Sequence, residues 1–222
     1  MKNTFRLQDQ QSVADLQAYL QRAKRLDIDG LVRLRAFGPI LAAYVAPIFA
    51  GSLMDSGPTV LGLRTMELAE PAEVDSLVPI AAMLDRLARI DIPDWDGRTS
   101  LTVELPPTER APWAGISPPR AGWEAFGTIA EPVLTQLAKD GIEEVRNTLP
   151  EAVGGPIAAR IRGEIWGRGI QVDSRIPTGA AFVAAGLGFL TQNEEVEVYF
   201  AEGWVRLSAE HGHVLAKIAR SL

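Results

Sequence analysis

Two stretches of the chain carry the same alternation of apolar and polar positions. Gly30–Ala42 (GLVRLRAFGPILA) and Gly203–Ala216 (GWVRLSAEHGHVLA) both read Gly-x-Val-Arg-Leu-x-Ala, then a glycine-containing turn, then a second apolar run. In the first, Val32, Leu34 and Ala36 alternate with Leu31, Arg33 and Arg35; in the second, Val205 and Leu207 alternate with Trp204, Arg206 and Ser208. A period of two is that of a strand, so each stretch predicts a β-hairpin with Val and Leu on one face and Arg33 or Arg206 on the other. An internal duplication accounts for the echo; the competing reading is that amphipathic hairpins look alike.

Around these hairpins the pattern predicts further elements. Ser12 with Asp15 is a capping signal, and Val13, Leu16, Leu20 and Ala23 then recur at helical spacing up to Leu26. Gly38-Pro39 marks the first hairpin's turn, Ile40–Ile48 its returning strand, and Thr59–Leu68 a third strand. A helix is expected from Asp75 or Ser76 to Arg89, with Leu77, Ala81, Leu84 and Ala88 as its stripe and Pro79 in its first turn. Residues 91–120 hold Pro93, Pro106, Pro107, Pro112, Pro118 and Pro119 and read as a stiff connector pinned by Trp95 and Trp113.

Helical spacing resumes from Gly122 to Asn147 through Trp123, Phe126, Ile129, Val133 and Leu137, with Pro132 expected to kink or divide it. A helix over Glu151–Trp166 and an apolar, buried one over Pro177–Leu190 follow. Strands at Val196–Ala201, Trp204–Ser208 and His213–Ile218 close the chain as a meander. The predicted class is α+β: two halves, residues 1–90 and 121–222, each with helices packed on an antiparallel meander, joined through 91–120 and open to a pseudo-duplicated reading.

Composition narrows the chemistry. A chain of 222 residues with 47% hydrophobic and 23% charged positions is globular. There is no cysteine, which excludes disulfides, thiolate metal sites and cysteine nucleophiles. The net charge of −6 opposes unspecific attraction to nucleic acid or anionic membrane. No apolar stretch reads as a signal peptide or a membrane span, so the cytoplasm is the expected compartment.

The stretches Val60–Arg89, Gly179–Leu190 and Gly203–Leu215 resemble conserved uncharacterised proteins of actinobacteria. The resemblance implies a soluble bacterial cytoplasmic protein with scaffold-like motifs, and brings no activity, cofactor or catalytic residue with it.

Catalytic signatures are sparse. Phosphate-cradling, zinc-protease and nucleophile-elbow motifs do not occur. His211 and His213 flank Gly212 in the second hairpin's turn, where a turn residue and a strand start are the plain readings. Asp27-x-Asp29-Gly30 and Asp94-x-Asp96-Gly97 open like calcium loops but lack the closing Glu, so turns are expected and no metal or cofactor is assigned.

Arginines offer more. Arg33 and Arg206, with Trp204, are candidates for a small-anion cleft, since guanidinium forks suit carboxylate and phosphate. Arg160, Arg162, Arg168 and Arg175 lie in a helix–turn–helix-like passage followed by strands, the order of a winged-helix DNA reader. Its second helix is nevertheless too apolar to read bases. The leading expectation is a non-catalytic protein that binds a protein partner, itself or a small anionic ligand. A DNA-binding regulator is the alternative, and an enzyme built on carboxylates and arginines the third.

Overall fold

The computed structural model describes residues 3–50, 57–90, 101–149 and 154–217. Trp95, the Asp94-x-Asp96-Gly97 motif and the predicted helix start at Glu151 fall outside them. The class is α+β, with antiparallel sheets and five α-helices among the described residues. Two compact units form: residues 1–45 with 63–114, and residues 46–62 with 115–222.

The first unit holds β1 (Thr4–Arg6), α1 (Gln10–Leu26), most of β2 (Leu31–Ile48) and β3 (Thr59–Pro79), α2 (Ile80–Ala88) and β4 (Thr102–Glu104). Helix α1 buries Val13, Leu16, Tyr19, Leu20 and Ala23, the stripe its spacing predicts. Its cap is Asp9, three residues ahead of Ser12: the Ser12 N–H and hydroxyl both donate to Asp9 Oδ1 at 2.7 Å. That backbone donor holds the Asp9 carboxyl below its ordinary value. Tyr19 donates its hydroxyl to the Ala43 carbonyl at 3.1 Å, and its burial raises the phenol well above the usual range.

The first predicted hairpin does not form, because Leu31–Ile48 is one continuous strand. Val32, Leu34 and Ala36 are buried before Gly38, and Leu41, Ala43 and Val45 after it, so the buried phase slips by one residue. Gly38, at φ 117°, adopts the left-handed backbone that such a slip requires and Pro39 gives up no ladder N–H. The Gly-Pro pair therefore kinks a strand and turns nothing back. Similarly, β3 continues past Leu68 to Pro79 and takes in Leu77. Helix α2 starts only after Pro79 and buries Ile80, Met83 and Leu87 in place of the expected stripe.

The second unit holds the ends of β2 and β3 with β5 (Glu124–Ala130), α3 (Glu131–Thr148), α4 (Gly155–Gly167), α5 (Thr178–Gly186), β6 (Glu195–Ala201), β7 (Trp204–Ala209) and β8 (Gly212–Lys217). The last three strands form the predicted meander, paired Val198↔Leu207 and Leu207↔Val214. Helix α5 buries Gly179, Ala180, Ala181, Val183 and Ala184, as expected of an all-apolar segment.

The long helix expected from Gly122 is instead β5 followed by α3, so Trp123, Phe126 and Ile129 belong to no helical face. Pro132 stands in the first turn of α3, where a missing N–H costs nothing, and starts the helix without kinking it. Leu134, Ala138 and Gly141 form its buried face. In hydrogen-bonded order the larger sheet runs β2-β3-β8-β7-β6-β5, which leaves β5 as a terminal strand.

Candidate docking edge in the second unit

Strand β5 pairs with β6 on one side, with Ala125 opposite Tyr199 and Gly127 opposite Val198. Phe126 is thus the extra residue of a β-bulge. Glu124 through Thr128 are exposed, and the Phe126 ring keeps 46% of its surface open to solvent. A bulge blunts an edge against unselective strand addition, yet an aromatic ring at the bulge is not a protective charge.

Successive residues of β6 point to opposite sheet faces, so Tyr199 and Phe200 distribute two arginine–aromatic groups to the two sides of this edge. On the Tyr199 side, Arg206 sits directly across from Tyr199 in the β6–β7 register. Its Cζ lies 4.3 Å from the Tyr199 ring centroid and 4.8 Å from that of Trp123. Trp123 is fixed by its indole N–H, which donates to the Pro119 carbonyl at 3.1 Å. Tyr199 donates to Glu197 at 2.8 Å, and that bond raises the phenol's pKa against the opposing pull of Arg206. Arg206 makes no ion pair among the described residues, and its buried Nε has no acceptor.

On the other side, the Arg175 Cζ lies 3.8 Å from the Phe200 ring centroid, and Phe126 meets Phe200 edge-on at 5.2 Å. Arg175 forks onto Asp173 through Nε at 3.0 Å and Nη2 at 2.6 Å. This pairing lowers the Asp173 carboxyl and raises the Arg175 guanidinium from their ordinary values.

The other sequence candidates lie elsewhere. Arg33 belongs to the first unit, where its Nε and Nη2 clamp Asp75 at 2.9 and 3.1 Å and Nη1 donates to the Ala114 carbonyl at 2.6 Å. Arg35 reaches the same carboxylate at 3.3 Å. Arg33 and Arg206 thus sit in different units, each with its own contacts. Trp204 is buried, with 5% of its surface exposed. Arg160 and Arg162 are exposed on α4, the former 3.8 Å from Glu164, and Arg168 pairs with Glu144 at 2.7 Å.

Ser208 Oγ and His213 Nδ1 are 3.0 Å apart as cross-strand partners. Glu197 lies opposite Ser208 on the serine's other side, so the row does not follow the nucleophile–base–acid order. At Asp27-x-Asp29-Gly30 the Gly30 N–H donates to the Asp27 carbonyl at 3.1 Å, an ordinary turn. No group of three or more metal-binding side chains occurs among the described residues. No helix among them is long and apolar enough to cross a membrane.

Alternation along β7 pointed to Arg206, but Trp123, Tyr199, Phe126 and Phe200 carried no motif. Their meeting depends on the β5–β6–β7 register, which joins positions far apart in sequence.

Chains of similar fold are bacterial sliding clamps. The DNA polymerase III subunit beta of Pseudomonas aeruginosa aligns over 99% of this chain at 14% identity and TM-score 0.50. Pol III beta of Caulobacter crescentus aligns over 100% at 12% identity and TM-score 0.51. A DnaN sliding clamp from Bartonella birtlesii aligns over 99% at 10% identity and TM-score 0.53. This chain spans 65%, 66% and 65% of their respective lengths. At such identities the likeness is one of fold.

Residues 1–115, over half of the sequence, match a domain of unknown function, DUF8010, and the chain belongs to that family. Residues 118–221 match a second domain of unknown function, DUF8185. No curated protein matches the chain.

Proposed function

We propose that this protein works by binding and not by catalysis, and that it docks a protein partner at the β5 end of its second unit. The observation that carries this reading is the flanking of one terminal strand, on both faces, by arginine–aromatic stacks: Arg206 with Tyr199 and Trp123, and Arg175 with Phe200 and Phe126. Arg, Trp and Tyr are the side chains that dominate protein interfaces: Trp and Tyr bury large area with little loss of freedom, and Arg adds a planar fork of donors. The clamp-like fold supports a role in holding other molecules.

Native mass spectrometry of gently purified protein tests the reading. A complex with a second protein, or an integer multiple of the 24.0 kDa chain, is expected, with its yield falling sharply in a Phe126→Ser variant. Phe126 is exposed, so the variant keeps its fold. A bare monomer at every concentration counts against the proposal, as does a complex indifferent to Phe126.

A further inference from the structure

We infer that Arg206 is the receptor for a carboxylate presented by the docked partner, an inference that rests on the docking reading above. A half-buried guanidinium ordinarily has an acidic partner. Half-buried Arg33 and Arg64 both do, at 2.9 and 2.5 Å for their shortest contacts to carboxylates. Arg206 has none among the described residues, and two aromatic rings hold it in place. Contact of Cζ with the ring faces directs its remaining hydrogen-bonding capacity into the guanidinium plane. A planar bidentate acceptor completes that geometry. The rings also supply apolar surface for the portion of the partner that carries the acid.

The charge balance selects a carboxylate over a phosphate. Glu197, two residues before Tyr199 and on the same sheet face, is tied to the Tyr199 hydroxyl. One guanidinium can balance a single negative charge here, whereas a doubly charged phosphate meets stronger repulsion from Glu197.

Three small probes separate the outcomes in 15N-resolved NMR titrations of the whole chain, read at the Arg206 Nε–H and Trp123 indole signals. N-acetylphenylalanine mimics a chain terminus, N-acetyl-aspartyl-phenylalaninamide mimics an acidic side chain, and N-acetylphenylalaninamide lacks a carboxylate. Saturable shifts are expected with either or both acids, with affinity at least about tenfold weaker for the neutral amide and for the Arg206→Met variant. Arg206→Lys is expected to retain part of the binding, since it keeps the charge and loses the fork. Whichever acid binds more tightly identifies a chain terminus or a side chain as the source. Equal binding of the amide, unchanged affinity in Arg206→Met, no saturable shift, or tighter binding of inorganic phosphate each overturns the inference. A native complex that Phe126→Ser abolishes but Arg206→Met leaves intact removes the carboxylate assignment and keeps the docking reading.

Discussion

Gly141 is the point at which a single added methyl group tests the packing of the second unit. It lies on the buried face of α3 against the indole of Trp166 in α4. A Cβ built there stands 2.7 Å from Trp166 Cη2 and nearer still to Cζ3, whereas ordinary contact begins at 3.4 Å. The indole must therefore withdraw by roughly 0.7 Å or more. It has nowhere to go: Trp166 is 5% exposed, and its ring stacks on Phe182 of α5 at 4.5 Å and 24°.

Replacing a mid-helix glycine by alanine gains about 1 kcal/mol of helix propensity. Overpacking costs about 1–3 kcal/mol, and disturbing the stack forfeits part of the 0.5–1.5 kcal/mol that aromatic pairs contribute, roughly. Gly141→Ala should thus destabilise by about 1–2 kcal/mol and lower Tm by about 2–8 °C. Thermal melts followed by near-ultraviolet circular dichroism, which reports the Trp166 environment, read both effects. In a Trp166→Phe background the shorter ring removes the collision, and the same substitution should cost less. A Tm that rises on Gly141→Ala, or an equal effect in both backgrounds, refutes the reasoning.

Other predictions concern individual ion pairs and caps. Asp75→Ala leaves Arg33 and Arg35 without their shared carboxylate, with 19% of each side chain exposed, and should cost about 1–3 kcal/mol in denaturant unfolding; Asp75→Asn should cost less. Asp9 titrates below its ordinary 3.8 in the folded chain. A depressed carboxylate contributes stability above its unfolded pKa and loses it as pH falls through the folded value. Asp9→Asn keeps a capping oxygen but cannot ionise, so its Tm should fall less steeply than the wild type's from about pH 5 to about pH 2. Duplex DNA titrated at low salt should give no binding that Arg160→Ala or Arg168→Ala weakens, because Glu164 and Glu144 already pair those arginines; a salt-steep affinity lost in either variant would reinstate the DNA reading.

The carboxyl-terminal meander was legible because Val196, Val198, Val205 and Leu207 alternate strictly and one face is buried. Where alternation slipped, the reading went astray. At Gly38-Pro39 a slip of the buried phase within one long strand has the same Gly-Pro signature as a turn. At Trp123, Phe126, Ile129 and Val133 the bulge spaced apolar residues at helical intervals across a strand–helix junction. Pro79 and Pro132 were the better signals there, since both stand at helix starts. The arginines were visible as residue types, but their partners were not: Asp75 lies 42 positions from Arg33, and strand pairing alone brings Tyr199 to Arg206.

Amide hydrogen exchange over Glu124–Ala130 tests the docking account most directly. The measurement compares the native complex with the same chain dissociated by dilution. If β5 is the docking edge, its exposed amides exchange quickly in the free chain and become protected in the complex, together with the Trp123 indole. Unchanged β5 exchange, with protection arising in the first unit instead, would contradict the account.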